Sequence, residues 1–263
     1  MRRVRSWFVL IGLILLAACG RVGVPAANVC DDPEARPLRD PALAQAVATR
    51  LGLDAEPTCA DLAGLTTLEA VERGIETLMG LEHATGLVSL RLDGNAITSI
   101  LPIAGLPALR FLSLADNPLR DLTPLGNLRD LFVLSLQNVD GVANVQPLRV
   151  LTRLERAYLS GMGVSDATPL AGLRRLRILH LEDNAIDDAR FLVELVQLRE
   201  VQLAGNRLAS VDALVANPGL AGGVVVDVRR NCLDITAGAA ARDAIDALLA
   251  RGVDLRFEPQ EGC

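Results

Sequence analysis

Leucine returns along this chain at a fixed period. Leu87, Leu109, Leu131, Leu154, Leu176 and Leu198 each open a unit, at spacings of 22, 22, 23, 22 and 22 residues. Within a unit the frame is Leu-x-x-Leu-x-Leu-x-x-Asn-x-Ile/Leu, followed by apolar residues at every third position. The unit that opens at Leu87 shows it whole, with Leu90, Leu92, Asn95 and Ile97 in frame and Ile100, Ile103 and Leu106 behind them. One such unit cannot bury its own apolar face, so successive units must stack into a solenoid.

The frame has a physical reading. Leu90 and Leu92 alternate inward along a short strand, and the residues between them point out. Stacked strands then make a curved parallel sheet. Asn95, Asn117, Asn184 and Asn206 fall where the chain leaves the strand. An amide there both donates and accepts, so stacked asparagines can satisfy the backbone groups that the turn leaves unpaired. Pro102, Pro124, Pro147 and Pro169 recur on the return segment, a position that needs no backbone donor.

Some units depart from the frame. The unit from Leu131 carries one extra residue between Leu136 and Val142, and the next has Met162 in the asparagine slot. A bulge or change of curvature near the middle is the expected result. A degenerate first unit runs from Leu65 with Arg73 in the asparagine slot. The last unit, Val226 to Leu233 with Asn231 in frame, follows a three-residue insertion near Asn217, Pro218 and Gly219.

The repeat resembles the leucine-rich repeats of equal length in bacterial internalins and in eukaryotic phosphatase-regulating solenoids, over residues 65–233. That resemblance implies an α/β leucine-rich-repeat solenoid with a concave parallel sheet. Exposed ends of such a stack need caps. Asp40-Pro41 followed by Leu43, Val47 and Leu51 reads as an N-capped amphipathic helix. With Thr58 to Leu62 it is similar to an internalin-type N-terminal cap, placed at residues 30–64. Ala239 to Ala250 has a helical pattern closing at Arg251-Gly252, and Val253, Leu255 and Phe257 alternate as a final strand. This helix-strand cap, residues 234–263, resembles bacterial repeat-protein C-termini.

Residues 1–18 form an arginine-led, apolar segment ending Leu16-Ala17-Ala18 before Cys19. The pattern is that of a secretory signal, and its apolar run is well short of the ~20 residues needed to span a bilayer. The tetrapeptide resembles a bacterial lipobox, which implies lipidation at Cys19, a tether over residues 19–29 and a membrane-anchored protein of the cell envelope. Gly20 in place of aspartate implies the outer membrane. An ordinary signal cut after Ala18 is the alternative.

Four cysteines besides Cys19 lie two in each cap. Three pairings are open in principle. Proximity along a solenoid favours Cys30–Cys59 and Cys232–Cys263, against free buried thiols. An oxidising compartment permits both bonds.

The hydrophobic share is 51% but the aromatic share only 3%, so the core must be aliphatic. Net charge is −6, and without the three arginines of residues 1–18 it is −9. An acidic body repels phosphate backbones, which argues against a nucleic-acid partner. No nucleophile elbow, phosphate loop, dinucleotide fingerprint or metal-ligand spacing is present in the sequence. His83 and His180 fall in different units with no Ser or Cys at a meaningful spacing. His83 reads as a surface residue of a return segment. A catalytic residue, a cofactor and a metal are therefore not expected.

Binding is the expected role, on the concave sheet. The outward positions are polar at its ends, whereas the centre carries Phe111, Val133, Tyr158 and Ile178, flanked by Arg91, Arg156 and His180. Tyr and Arg are enriched at binding hot spots, and an exposed apolar patch usually has a use. The partner class read from this is a protein, or else a peptide or glycan. A structural or assembly role in the envelope is the competing expectation.

Overall fold

The computed structural model describes residues 29–139 and 141–260. The segment at the Leu-x-Leu position of each unit, with Ala70, Ala157 and Val201 standing in for leucine, forms a three-residue strand: β1 Thr67–Glu69, β2 Ser89–Arg91, β3 Phe111–Ser113, β4 Val133–Ser135, β5 Arg156–Tyr158, β6 Ile178–His180 and β7 Glu200–Gln202. β8 Val225–Asp227 and β9 Asp254–Arg256 continue the series. The nine strands form one parallel sheet in strict sequence order. The middle residue of every strand points inward and is buried, from Leu68 and Leu90 through Ala157 to Leu255. The fold is thus a solenoid, as the period requires.

Chain return is by short 3-10 turns, among them Leu101–Ile103, Thr123–Asn127, Gln146–Val150 and Thr168–Gly172. Each of these four turns has its proline in the first turn, where a missing N–H costs nothing. Ile103, Leu125, Leu148 and Leu170 anchor the turns in the core.

The asparagines work across units. The Asn95 side chain accepts from the Arg73 and Ile75 amides and donates to the Ala70 and Leu92 carbonyls. Asn117, Asn184, Asn206 and Asn231 repeat this pattern. The ladder is interrupted where Val139 and Met162, both buried, occupy two successive slots. Apolar packing replaces amide pairing there.

The extra residue of the β4 unit does not bulge the sheet. Leu134 pairs with Ala157, and Val133 with Arg156, in unbroken register. Because the pleat alternates with period two, a slip inside the strand would turn its leucines outward, so the insertion is absorbed in the loop beyond.

At the N-terminus, α1 (Pro41–Leu51) buries Leu43, Ala44 and Val47 over the first unit. Asp40 holds it there. One carboxylate oxygen accepts from Ala42 and Leu43 at the helix start, and the other from Glu76 and Thr77 in the first repeat. Burial alone would push this carboxyl up, but the four amide donors hold it below its ordinary range. A further tie is steric. Gly80, at φ +98°, lies under the Pro37–Leu38 backbone, and a Cβ there would sit 2.3 Å from the Pro37 carbonyl oxygen. α2 (Cys59–Ala63) starts with a capping box between Thr58 and Asp61. Cys59 is disulfide-bonded to Cys30.

At the other end, α3 (Asp212–Ala216) precedes Asn217, whose fully buried amide donates to the Leu192 and Leu195 carbonyls of the previous unit. The insertion seen in the sequence is organised around that residue. α4 (Ala240–Ala250) buries Ala241, Ala244, Ile245 and Leu248. Cys232 is a disulfide cysteine. Cys263, its expected partner, lies outside the described residues, as do Cys19 and the whole of residues 1–28.

Candidate functional site

The outward strand positions form two parallel rows on the concave face. In the first, Phe111, Val133, Arg156 and Ile178 are direct register partners on β3 to β6. In the second, Tyr158 and His180 are register neighbours on β5 and β6. Their rings meet edge to face, with centroids 5.0 Å apart at 84°. Six of the seven candidate residues are therefore contiguous. Arg91 is the exception. It lies two strands before β4 in the second row, separated from Tyr158 by Ser113 and Ser135. Carboxylates hold it, with Asp93 at 3.0 Å and Glu69 at 3.4 Å. With Phe111 it borders a separate groove of about 320 Å³ against Arg50, Thr67 and Ser89.

The apolar members are half-buried rather than fully exposed. Strands about 4.8 Å apart let each side chain shield its neighbours. Arg156 is exposed and makes no ion pair among the described residues. His180 is held by carboxylates on two sides, at 3.0 Å from Glu200 and 3.9 Å from Glu182. Ser160 hydrogen-bonds Glu182, and Gln202 donates to Glu200. The imidazole is thus oriented as part of a polar border to the Tyr158 ring. Among the described residues its ring nitrogens face Glu200 and Glu182, and Ser160 is turned to Glu182. Among the described residues no cluster of three or more His, Cys, Asp or Glu side chains is arranged to hold a metal ion. His83 is half-buried in its turn beside Glu82 at 3.9 Å, not a surface side chain as its position in the sequence implied.

The geometry now allows comparison with known proteins. A family model described as leucine-rich repeats (2 copies) matches residues 85–127. An internalin C2 from Listeria monocytogenes is similar in structure, 27% identical over 84% of this chain and 93% of its own, with a TM-score of 0.73. The fold is a leucine-rich-repeat solenoid. An internalin F of the same organism, 21% identical over 88% of this chain and 71% of its own, has a TM-score of 0.66. A leucine-rich-repeat protein of Leptospira interrogans, also 21% identical, covers 77% of this chain with a TM-score of 0.64, and this chain spans 52% of its length. No curated protein matches the sequence. Leucine-rich-repeat folds of the internalin kind typically serve as protein-binding scaffolds.

Among the described residues the most exposed large apolar side chains lie elsewhere. Met79 and Leu101 are 53% and 68% exposed, on the return side of the first two full turns. With Thr77, Thr98 and Pro102 they line a groove of about 640 Å³. The repeat frame hides them, because the inward slots beside them, Leu78 and Ile100, already account for the periodic leucines.

Proposed function

We propose that this solenoid is a recognition module that binds a protein ligand through the centre of its concave face. The observation that carries the reading is the register. Phe111, Val133, Arg156 and Ile178 make one unbroken row with the Tyr158–His180 pair beside it. Aromatic and arginine side chains so placed fit a central hot spot inside a polar border. The module works without catalysis, metal or cofactor, and its ligand is not a nucleic acid. Mutation is the test. With a partner captured from the native envelope, Tyr158→Ala and Arg156→Ala should each weaken binding by about 1–3 kcal/mol while circular dichroism stays unchanged. If both are silent and Leu101→Asp on the return side abolishes binding, the envelope-assembly role replaces this one.

The N-terminal segment belongs to the same proposal. Residues 1–18 are a signal, Cys19 carries lipid, and the solenoid is held on the outer membrane by a short tether. Its supports are the Leu16-Ala17-Ala18-Cys19 pattern and the glycine that follows. Acyl chains at one cysteine anchor firmly when there are several. Mass spectrometry of the mature protein is the check. The expected species begins at a lipid-modified Cys19, and an unmodified Cys19 or a later start would refute the anchor.

A further inference from the structure

Net charge conceals how charge is distributed on this molecule. The residue just before each strand belongs to neither concave row, yet these residues form a column of their own. The Arg110 amide donates to Val88, Phe132 to Arg110, Glu155 to Phe132, Arg177 to Glu155 and Arg199 to Arg177, all at 2.8–2.9 Å. The ladder is thereby extended by one residue, and the side chains stack at strand spacing along the lip of the concave face. Arg110 lies over the Phe132 ring at 5.6 Å. Arg177 is matched by Glu155 at 3.9 Å. Arg110, Arg199 and the adjoining Arg156 are exposed and make no ion pair among the described residues. At the opposite ends of the strands the concave face carries Asp93, Asp116, Glu182 and Asp183. Asp93 is paired with Arg91 and Asp183 with Arg230, so that lip is mixed in sign, whereas guanidinium groups unpaired among the described residues lie along the first.

We infer that the cationic lip recognises an acidic polypeptide segment lying extended across the strands. This deepens, and rests on, the reading of the concave centre as a protein-binding site. Two properties of the lip select this partner. First, guanidinium groups pair carboxylates in a planar, two-bond geometry, and Phe132, Val133 and Ile178 offer apolar contact between them. Second, the spacing fits a polypeptide. Arg110 and Arg199 stand in the lip at β3 and β7, and Arg156 lies between them one residue further along β5, where Glu155 holds the lip position. At about 4.8 Å per strand, successive arginines are two strands, or about 9.6 Å, apart across the sheet. An extended chain advances about 3.3 Å per residue, so every third residue of the ligand meets an arginine. A segment with Asp or Glu at positions i, i+3 and i+6 and apolar residues between them is the matching ligand. A polyanion wide enough to cover the whole face, such as a nucleic acid, would also meet the Asp116 and Glu182 carboxylates of the opposite lip.

The test uses the full chain and synthetic peptides of about twelve residues. One has Glu at every third position with Leu and Tyr between, one replaces each Glu with Gln, and one scrambles the spacing. The wild type should hold the spaced Glu peptide at least about tenfold more tightly than the other two, and lose it as salt rises. The double variant Arg110→Glu/Arg199→Glu, which leaves Arg156 of the concave row in place, should lose most of that binding. Arg120→Glu/Arg149→Glu/Arg207→Glu, away from the lip, should keep it, and circular dichroism reports that both fold. Equal binding of the Glu and Gln peptides, no binding of either, or retention by anionic phosphatidylglycerol vesicles in place of peptide would each overturn the inference. The underlying reading fails separately. If Tyr158→Ala weakens a captured partner and the lip reversal does not, only the acidic ligand is wrong. If Tyr158→Ala is silent, the concave centre itself is wrong.

Discussion

Asn117→Ala should lower the free energy of unfolding by about 2–4 kcal/mol, whereas Asn138→Gly should cost less than about 1 kcal/mol. The two asparagines stand one unit apart in neighbouring turns. Asn117 is 2% exposed; its side chain accepts from the Ile97 amide and donates to the Leu92, Leu114 and Ala115 carbonyls. Truncation strands the Ile97 N–H of the preceding unit and the Leu114 carbonyl of its own, both on fully buried residues, while the Leu92 carbonyl keeps its bond from Asn95. Each such orphan costs about 1–3 kcal/mol, more than the bond itself was worth. The Asn138 side chain is exposed and donates to Asp116, and its backbone at φ +56° suits glycine where alanine would be strained. Solvent replaces that partner at once. Urea unfolding with an unchanged slope measures both, and equal losses would mean that the ladder contributes nothing beyond an ordinary surface contact.

The same contrast marks what the sequence discloses. A repeated inward slot is legible because every unit votes on it, so Leu90, Leu112, Leu134 and Leu179 could be placed in the core before any coordinates. The concave row was legible for the same reason: it occupies the slots between those leucines. Three things were not. The asparagine slot of the β4 unit belongs to Val139, because the extra residue blurs the count just where the ladder stops. Asn217 lies in an insertion, outside any frame, and only its bonds to Leu192 and Leu195 reveal its place. The lip column of Arg110, Phe132, Glu155, Arg177 and Arg199 sits between an inward leucine and an outward strand position, so neither periodicity selects it. A net charge of −6 then pointed away from any anionic ligand. Averaging caused that. Charges more than about 10 Å apart are largely screened from each other at moderate salt, and a partner meets the local row rather than the sum.

Replacing Cys30 and Cys59 with serine should destabilise the protein by about 3–4 kcal/mol under oxidising conditions, and the loss should be confined to its N-terminal end. The bond closes a separation of 29 residues, for which chain entropy gives about 3.6 kcal/mol. Its location decides where that loss appears. In a solenoid each unit touches only its neighbours, so stability is a sum of local terms and fraying starts at the ends. The bond holds the segment that leads to α1 against α2. That same segment crosses Gly80 and donates from the Arg39 amide to the Met79 carbonyl. Without the bond, α2 and the turn at Leu81–His83 lose a fixed neighbour, and β1 and β2 lose the lid that covers their exposed end. Hydrogen exchange should therefore quicken over residues 30–92 and stay unchanged over β5 to β7, four units away. Tyr158 and His180 lie in that protected part, so ligand binding should survive a variant whose thermal midpoint has dropped. A reducing agent, which also opens the bond at Cys232, should bring wild type and variant to one common midpoint, at or below that of the oxidised variant. Uniform loss of protection along the chain would show one cooperative block instead of a stack of nearest neighbours, and binding at the centre would then depend on the cap.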